Sequence, residues 1–573
     1  MVQPRLLVPA LRLPALLALL LHHMQLVEAF AFSPDDPADF LWDTWIRRRP
    51  EGGWLLNYLV KHHTPRWEAW NAISSASSVD GAHFADLGVS LQQRCDCCNA
   101  SCARDNWAQL GSSSVWPRLG TNRTEWLMAV GSTPAAPPGA ANCDPNAPGC
   151  HGIYFHRSTD LVSWEPFGKM GAHGTPVFRP NASLYVNKGG DCIAALPRPG
   201  GGYYGYFSAL PMPRGDVCGT LPANCTACFS GRPANTSQCS GLTPYFGGRA
   251  CNICGAGFAE SDDGLTWNAL PTPGPAVGPS LRSEPWGSHS AEVGGLCQLG
   301  NRTYMTFDAG HLYEATSPRG PFTPAKKNFN FLTQETGSVF ARLWGEIYTG
   351  DKDLALVTHQ QLSANNYAGL VKRAVLGPDG VLRAQWWSAN DVLRSSALEI
   401  TNASTNASAG AGLVTECTGD CMSSGIWLEG NLAAAGNASC GVMLESSAGD
   451  VFFAVDGAGR FVLDGLPPHG LVIDRAMPPR ATRSFRLLAR NSKAGEGLVE
   501  FYVDEMLSLP VTIKKGRLSG GFSVVGAGAQ VSSAHRLSLS LPQVALKTDE
   551  TGVPSLRELA PQNKLIGASM RTS

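Results

Sequence analysis

The chain has 573 residues, 43% of them hydrophobic and 16% charged, so it has ample apolar surface for a large core and is not intrinsically disordered. Its 45 Lys and Arg against 46 Asp and Glu, with no long basic run, remove the electrostatic footprint of nucleic-acid binding and of attachment to anionic membranes. The 63 Gly and 40 Pro exceed ordinary usage and imply many turns.

Residues 1–31 open with Arg5 and the apolar run Leu6 to Leu21, then offer Val27-Glu28-Ala29 and Ala29-Phe30-Ala31 as small-x-small cleavage patterns. Pro9, Arg12, Pro14, His22 and His23 interrupt the run, so it reads as a secretory signal that is removed rather than as an anchor. No later stretch reaches about eighteen apolar residues, and the expected location is secreted or lumenal. Nine Asn-x-Ser/Thr sequons, at Asn99, Asn122, Asn181, Asn224, Asn235, Asn301, Asn402, Asn406 and Asn437, suggest a glycosylated surface.

From residue 32 to 395, short β-branched and aromatic runs are punctuated by Gly, Pro and Asn, with almost no helical period. A local pattern recurs: Ser78-Val79-Asp80-Gly81 before His83-Phe84, Ser158-Thr159-Asp160-Leu161 before Trp164, and Ser261-Asp262-Asp263-Gly264 before Trp267. Ser317-Pro318-Arg319-Gly320-Pro321-Phe322 stands in a comparable place. Each reads as a strand ending in a tight turn, with the aromatic packing between neighbouring sheets. The spacing implies five sheets arranged as propeller blades, starting near Phe40, Ala108, Gly189, Ser288 and Gly337. A linker is expected at 396–410, rich in Ala, Ser, Thr and Asn, then a β-sandwich over 411–542 and a polar tail over 543–573. The fold class is thus all-β, a five-bladed propeller followed by a C-terminal sandwich.

Seventeen cysteines in an oxidising compartment read as disulfides with one left over, and twelve of them crowd into segments 95–102, 143–150 and 218–254. Cys225-x-x-Cys228 followed by Cys251-x-x-Cys254 has zinc-ribbon spacing, but Cys218, Cys239 and two sequons nearby favour a disulfide-bonded loop, and no metal is expected. His62, His63, His289 and His359 have no metal-like spacing, and no cofactor motif appears.

Leu41-Trp42-Asp43-Thr44-Trp45, the strand ending at Tyr58, Ser78 to Phe84, and Gly257 to Trp267 together resemble the five-bladed propeller glycosidases. The chain is most similar in kind to glycoside hydrolase family 32, the invertase and fructan hydrolase family, since a sandwich follows the propeller. That resemblance spans residues 40–542 and implies three acids on the inner strands of different blades, acting on an oligosaccharide or polysaccharide. Retention requires an ionised carboxylate and a protonated one roughly 5 to 5.5 Å apart. The resemblance implies Asp43 as nucleophile, Asp191 as the residue holding sugar hydroxyls in the transition state, and Glu292 as acid/base. The sequence departs from the family around all three: Trp-Asp-Thr-Trp replaces Asn-Asp-Pro-Asn-Gly, and Arg-Asp-Pro and Glu-Cys are missing. Glu284 and Glu346 compete with Glu292. Trp42, Trp45, Trp116 and Trp286 are candidate sugar platforms, while Trp164 and Trp267 read as blade packing. The expected activity is β-fructofuranosidase-like. An inverting arabinan- or xylan-type glycosidase, or a carbohydrate-binding propeller without catalysis, are the alternatives. Asp43→Asn is expected to leave stability almost unchanged if Asp43 lines an open funnel.

Overall fold

The computed structural model describes residues 32–62 except 37, 70–92, 108–134 except 121–124, 152–167, 178, 184, 193–208, 256–271, 293–329 except 308–309, 331–332, 339–400 except 362–365, and 421–538 except 435, 437, 467–468, 475–476, 479 and 527. The segment 1–31 expected as a signal, the tail over 543–573, all three cysteine-rich segments, the zinc-ribbon cysteines and eight of the nine sequons lie outside these residues. Asn301 is described: it is exposed in the two-residue turn of a hairpin.

The first sheet is a meander of β1 (Phe40–Arg48), β2 (Trp54–Lys61), β3 (Ala72–Ser78) and β4 (Ala85–Gln92). The second repeats it with β5 (Ala108–Pro117), β6 (Trp126–Pro134), β7 (Gly152–Ser158) and β8 (Glu165–Pro166). The third has β9 (Ile193–Pro197), β10 (Tyr203–Phe207), β11 (Gly257–Ser261) and β12 (Asn268–Leu270). The fourth has β13 (Val293–Leu299), β14 (Arg302–Phe307), β15 (His311–Ala315) and β16 (Thr323–Pro324). The fifth has β17 (Val339–Trp344), β18 (Ala355–Gln361), β20 (Lys372–Leu376) and β21 (Leu382–Gln385), with short β19 (Tyr367–Ala368) beside β18. The innermost strands touch in sequence, β1 to β5, β5 to β9, β9 to β13, β13 to β17 and β17 back to β1. That closes a five-bladed ring, and closure leaves only the short outer strands as edges.

The repeated turns lie between the third and fourth strands of the blades. Ser158 Oγ accepts from the Leu161 N–H at 2.7 Å, while Asp160 Oδ1 accepts from Val162 at 2.9 Å and Ser163 at 2.7 Å. Ser261 and Asp263 bind Gly264, Leu265 and Thr266 in the same way, as do Ser78 and Asp80 with Gly81, Ala82 and His83. The fourth residue takes positive φ in all three: 86° at Gly81, 66° at Leu161 and 85° at Gly264. Glycine meets that demand without steric cost, and the second blade places a leucine there instead.

The second domain is a sandwich. One layer runs β30 (Met506–Ile513), β29 (Gly497–Val503), β28 (Arg483–Asn491), β23 (Ile426–Leu432), β32 (Gln530–Leu537), β22 (Arg394–Ala397). The other runs β27 (Leu471–Ile473), β26 (Phe461–Asp464), β25 (Val451–Val455), β24 (Cys440–Ser446), β31 (Leu518–Val525). Inward residues such as Leu428, Val442, Phe453, Leu487, Phe501 and Phe522 fill the space between them. The segment expected as a linker begins inside this domain, because Arg394–Ala397 forms an edge strand on β32; 401–410 lie outside the described residues. Cys297 and Cys440 are buried, unpaired thiols in strands of the propeller and the sandwich.

The two domains share one sheet. Gln385 of β21 pairs with Met506 of β30, so the fifth blade continues into the sandwich. Trp386 lies at the junction, edge-on to Trp427 at 5.0 Å and Tyr502 at 5.1 Å, under the Arg486 guanidinium at 4.1 Å. Beside it, Glu500 of the sandwich reaches Lys372 Nζ at 3.0 Å and the Leu370 N–H at 3.0 Å in the fifth blade, and Tyr502 donates to its other oxygen. Lys372 Nζ also lies 2.9 Å from His359 Nδ1. All four side chains are fully enclosed.

Candidate functional site

Asp43 interrupts β1 at a β-bulge, where pairing with β2 shifts between Trp42 and Thr44. Its φ is +35°, a region that Asp tolerates better than most residues because its short side chain bonds locally. A bulge re-aims the side chain it carries, and here it directs the carboxylate to the axis. Oδ1 lies 2.6 Å from Arg342 Nη2 of β17, and Oδ2 accepts from the Ser112 hydroxyl of β5. Arg342 also donates to Ser112 Oγ at 3.0 Å and to the Val293 carbonyl of β13 at 3.4 Å. Four of the five innermost strands therefore meet around one carboxylate. Asp43 is 2% exposed and Arg342 4%, so the pair is held away from water.

Asp43 is enclosed and ion-paired among the described residues, and a carboxylate held in this way contributes to folding. The expectation that Asp43→Asn would leave stability unchanged is thereby corrected. Deeper along β1, Arg47 donates to the Val115 and Ile347 carbonyls at 3.2 and 3.5 Å and stacks on Trp126 at 3.7 Å. Burial pushes its guanidinium down to about 9.

Asp191 and Glu292 lie outside the described residues, as do Glu284 and Trp286. Their places along the chain are informative. Glu292 immediately precedes Val293, whose carbonyl accepts from Arg342, and Asp191 stands two residues before Ile193, whose carbonyl accepts from Ser114 of β5. Glu346 is exposed in the short helix α1 (Glu346–Thr349), which follows the far end of β17.

The candidate sugar platforms separate. Trp42 is half-buried and stacks on Trp70 at 5.3 Å. Trp45 is enclosed in the core between blades. Trp116 is fully buried, edge-on to Trp267 at 5.7 Å, and both indole N–H groups donate to the Gly264 carbonyl at 2.9 Å. A ring covered on both faces has none to offer a sugar, so Trp45 and Trp116 are packing residues here. Trp164 and Trp267, expected in blade packing, are buried in it.

His62 bonds Asp39 at 2.9 Å, and His359 belongs to the domain junction; His63 and His289 lie outside the described residues. No group of three His, Cys, Asp or Glu side chains able to hold a metal occurs among the described residues.

Two buried histidines set an expected pH response. Burial holds His156 down to about 4, and burial together with Lys372 holds His359 well below its ordinary range. Both are neutral in the folded chain and titrate near 6.5 when unfolded, so the unfolded state binds more protons below that pH. Stability is full above about pH 6.5 and falls on acidification, each group adding a slope approaching about 1.4 kcal/mol per pH unit. Urea midpoints at pH 7.5, 6.5 and 5.5 measure this, and His156→Gln removes one of the two contributions.

Sequence reading missed Ser112 and Arg342. Signals existed in the serine run Ser112-Ser113-Ser114 inside a strand and in a lone Arg between Phe340-Ala341 and Leu343-Trp344. A charge in an otherwise apolar strand announces a buried partner, though not which one.

No family model and no curated protein sequence matches the chain. Among solved structures, it is similar to an exo-inulinase from Aspergillus awamori, with 11% identity and a TM-score of 0.58 over 89% of this chain and 98% of that one. Fructan 1-exohydrolase IIa from Cichorium intybus gives 11% identity and a TM-score of 0.55 over 90% and 97%. A fructofuranosidase from Schwanniomyces occidentalis gives 8% and 0.51 over 89% and 98%. At such identities the likeness is one of overall fold, and it runs through both domains.

Proposed function

We propose that the protein is a secreted, N-glycosylated glycoside hydrolase acting with retention on fructosides, with Asp43 as nucleophile, Glu292 as acid/base and Asp191 holding sugar hydroxyls. The observation that carries this reading is Asp43 itself: an acid on the innermost strand of the first blade, at a bulge with positive φ, aimed at the axis between Arg342 and Ser112. Backbone strain of this kind concentrates where a side chain has work to do. Support for the substrate class comes from folds of the same two-domain plan that bear the names exo-inulinase, fructan exohydrolase and fructofuranosidase, one of them holding 1-kestose. The exposed hairpin tip at Asn301 suits a glycan.

In this reading Asp43 attacks the anomeric carbon while Glu292 protonates the departing oxygen, and water, deprotonated by Glu292, then releases the sugar. Arg342 and Ser112 fix the carboxylate's orientation before substrate arrives, which removes reorganisation from the attack.

The test is leaving-group dependence. Glu292→Gln should lose on the order of 10²- to 10⁴-fold in kcat/KM on sucrose or short fructans. It should lose far less on an activated aryl fructoside, whose departure needs little proton transfer. Equal losses on both would remove Glu292 from the acid role, and saccharide binding without turnover by the unmodified protein would favour a non-catalytic propeller.

A further inference from the structure

Beside the Asp43 site, the fifth blade buries two adjacent amides, Gln360 and Gln361, that nothing among the described residues satisfies. Gln360 and Gln361 are each 1% exposed, and in neither does Oε1 or Nε2 have a hydrogen-bond partner among the described residues; only Gln360 shares a face with Arg342. Buried polar groups are almost always paired, because an unmade bond in a dry interior costs the full desolvation of the group. A side chain that could have been Leu or Met at this place therefore requires an explanation.

Its position supplies one. In the β17–β18 register, Arg342 stands opposite Thr358 and Phe340 opposite Gln360. Strand alternation puts Arg342, Thr358 and Gln360 on one face of the sheet. That face looks toward the first blade, since Thr358 Oγ1 donates to the Thr44 carbonyl at 3.0 Å, next to Asp43 in the chain. Gln360 is the diagonal neighbour of Arg342, a relation that places the two backbones roughly 7–8 Å apart, within reach of long side chains. It also lies toward the start of β17, the same end at which Val293 and Arg342 meet.

We propose that Gln360 binds hydroxyls of the saccharide held against Asp43, its carbonyl accepting from one hydroxyl and its NH₂ donating to another. This rests on the glycosidase reading above and adds to it a residue that selects for a polyhydroxylated ring. An amide with one acceptor and two donors matches a pair of neighbouring hydroxyls, and a ligand that supplies both bonds removes the deficit left in the free protein.

The experiment compares the unmodified protein with Gln360→Met and with Gln361→Met, which removes an equally buried and unsatisfied amide from the opposite face of β18, so that position alone separates the two. Three readouts are taken: melting temperature without ligand, the shift in that temperature with added fructose or 1-kestose, and kcat and KM on sucrose or 1-kestose. For Gln360→Met the free protein should melt at the same temperature or higher, because an unsatisfied amide has been replaced by an apolar group of similar size. Its ligand-induced shift should disappear and its kcat/KM should fall by on the order of 10- to 100-fold, while Gln361→Met retains both. A lower melting temperature of free Gln360→Met would assign the amide a structural role and overturn the proposal. Equal losses in the two variants, or unchanged binding in Gln360→Met, would overturn it as well. If the unmodified protein neither binds nor cleaves these sugars, the glycosidase reading falls together with this one. Turnover that Gln360→Met leaves intact sinks this inference alone.

Discussion

Asp43→Asn is expected to lower hydrolysis of fructosides by on the order of 10⁴-fold or more and, at the same time, to destabilise the propeller by about 3–5 kcal/mol. The first effect follows from removing the attacking oxygen. The second follows from the packing, since the variant removes the Asp43 charge that lies against the enclosed Arg342 guanidinium, itself 4% exposed. A fall in activity alone would therefore be ambiguous, and a second variant separates the causes. Arg342→Met removes the cation, and the double variant Asp43→Asn, Arg342→Met should regain much of the stability because the cation that Asp43 neutralises is removed together with it. It should regain none of the activity. Denaturant midpoints for the four proteins, read as a double-mutant cycle alongside initial rates, make the measurement. Recovery of hydrolysis in the double variant would show that Asp43 holds the blades together without attacking the sugar.

Glu500→Gln should destabilise the junction between propeller and sandwich by about 3–5 kcal/mol, a loss comparable to that at the axis. Glu500 is the only carboxylate within ion-pair distance of Lys372 among the described residues, and both are wholly enclosed. Burial already pushes Lys372 down to about 8, with Glu500 opposing that shift, so deleting the negative charge forces the ammonium either to remain uncompensated or to lose its proton. The same acid joins Leu370 of the fifth blade to Tyr502 of the sandwich, so its loss should weaken the coupling between domains. Calorimetry should then resolve two transitions where the unmodified chain gives one. Lys372→Met in the Glu500→Gln background should restore most of the stability. Unchanged melting of Glu500→Gln would mean that the junction is held by Trp386, Trp427 and Tyr502 alone.

The all-β class, the five blades and the sandwich were legible in the chain because their determinants are local. A Ser, an Asp two residues on and a residue of positive φ close each turn through bonds spanning two or three positions, so the pattern prints itself in sequence wherever a blade needs it. Period-two burial did the same for strands such as Leu518–Val525. Asp43 was also visible, as an acid beside aromatics at the start of the first blade. Its surroundings were not: Ser112 and Arg342 approach it across 69 residues and, through Arg342, a further 230, and no local pattern records which distant strand will face which. Trp45 and Trp116 could be recognised as large aromatics near the candidate acid, yet only the closed ring decided that both are covered by neighbouring blades. Arg394–Ala397 reads as the approach to a linker from composition, and becomes an edge strand because β32 offers it an unpaired ladder. Sequence by itself determined the repeating units and the acid they carry. The tertiary structure decided which side chains share the axis, because ring closure brings together strand faces whose separation in the chain exceeds any local code.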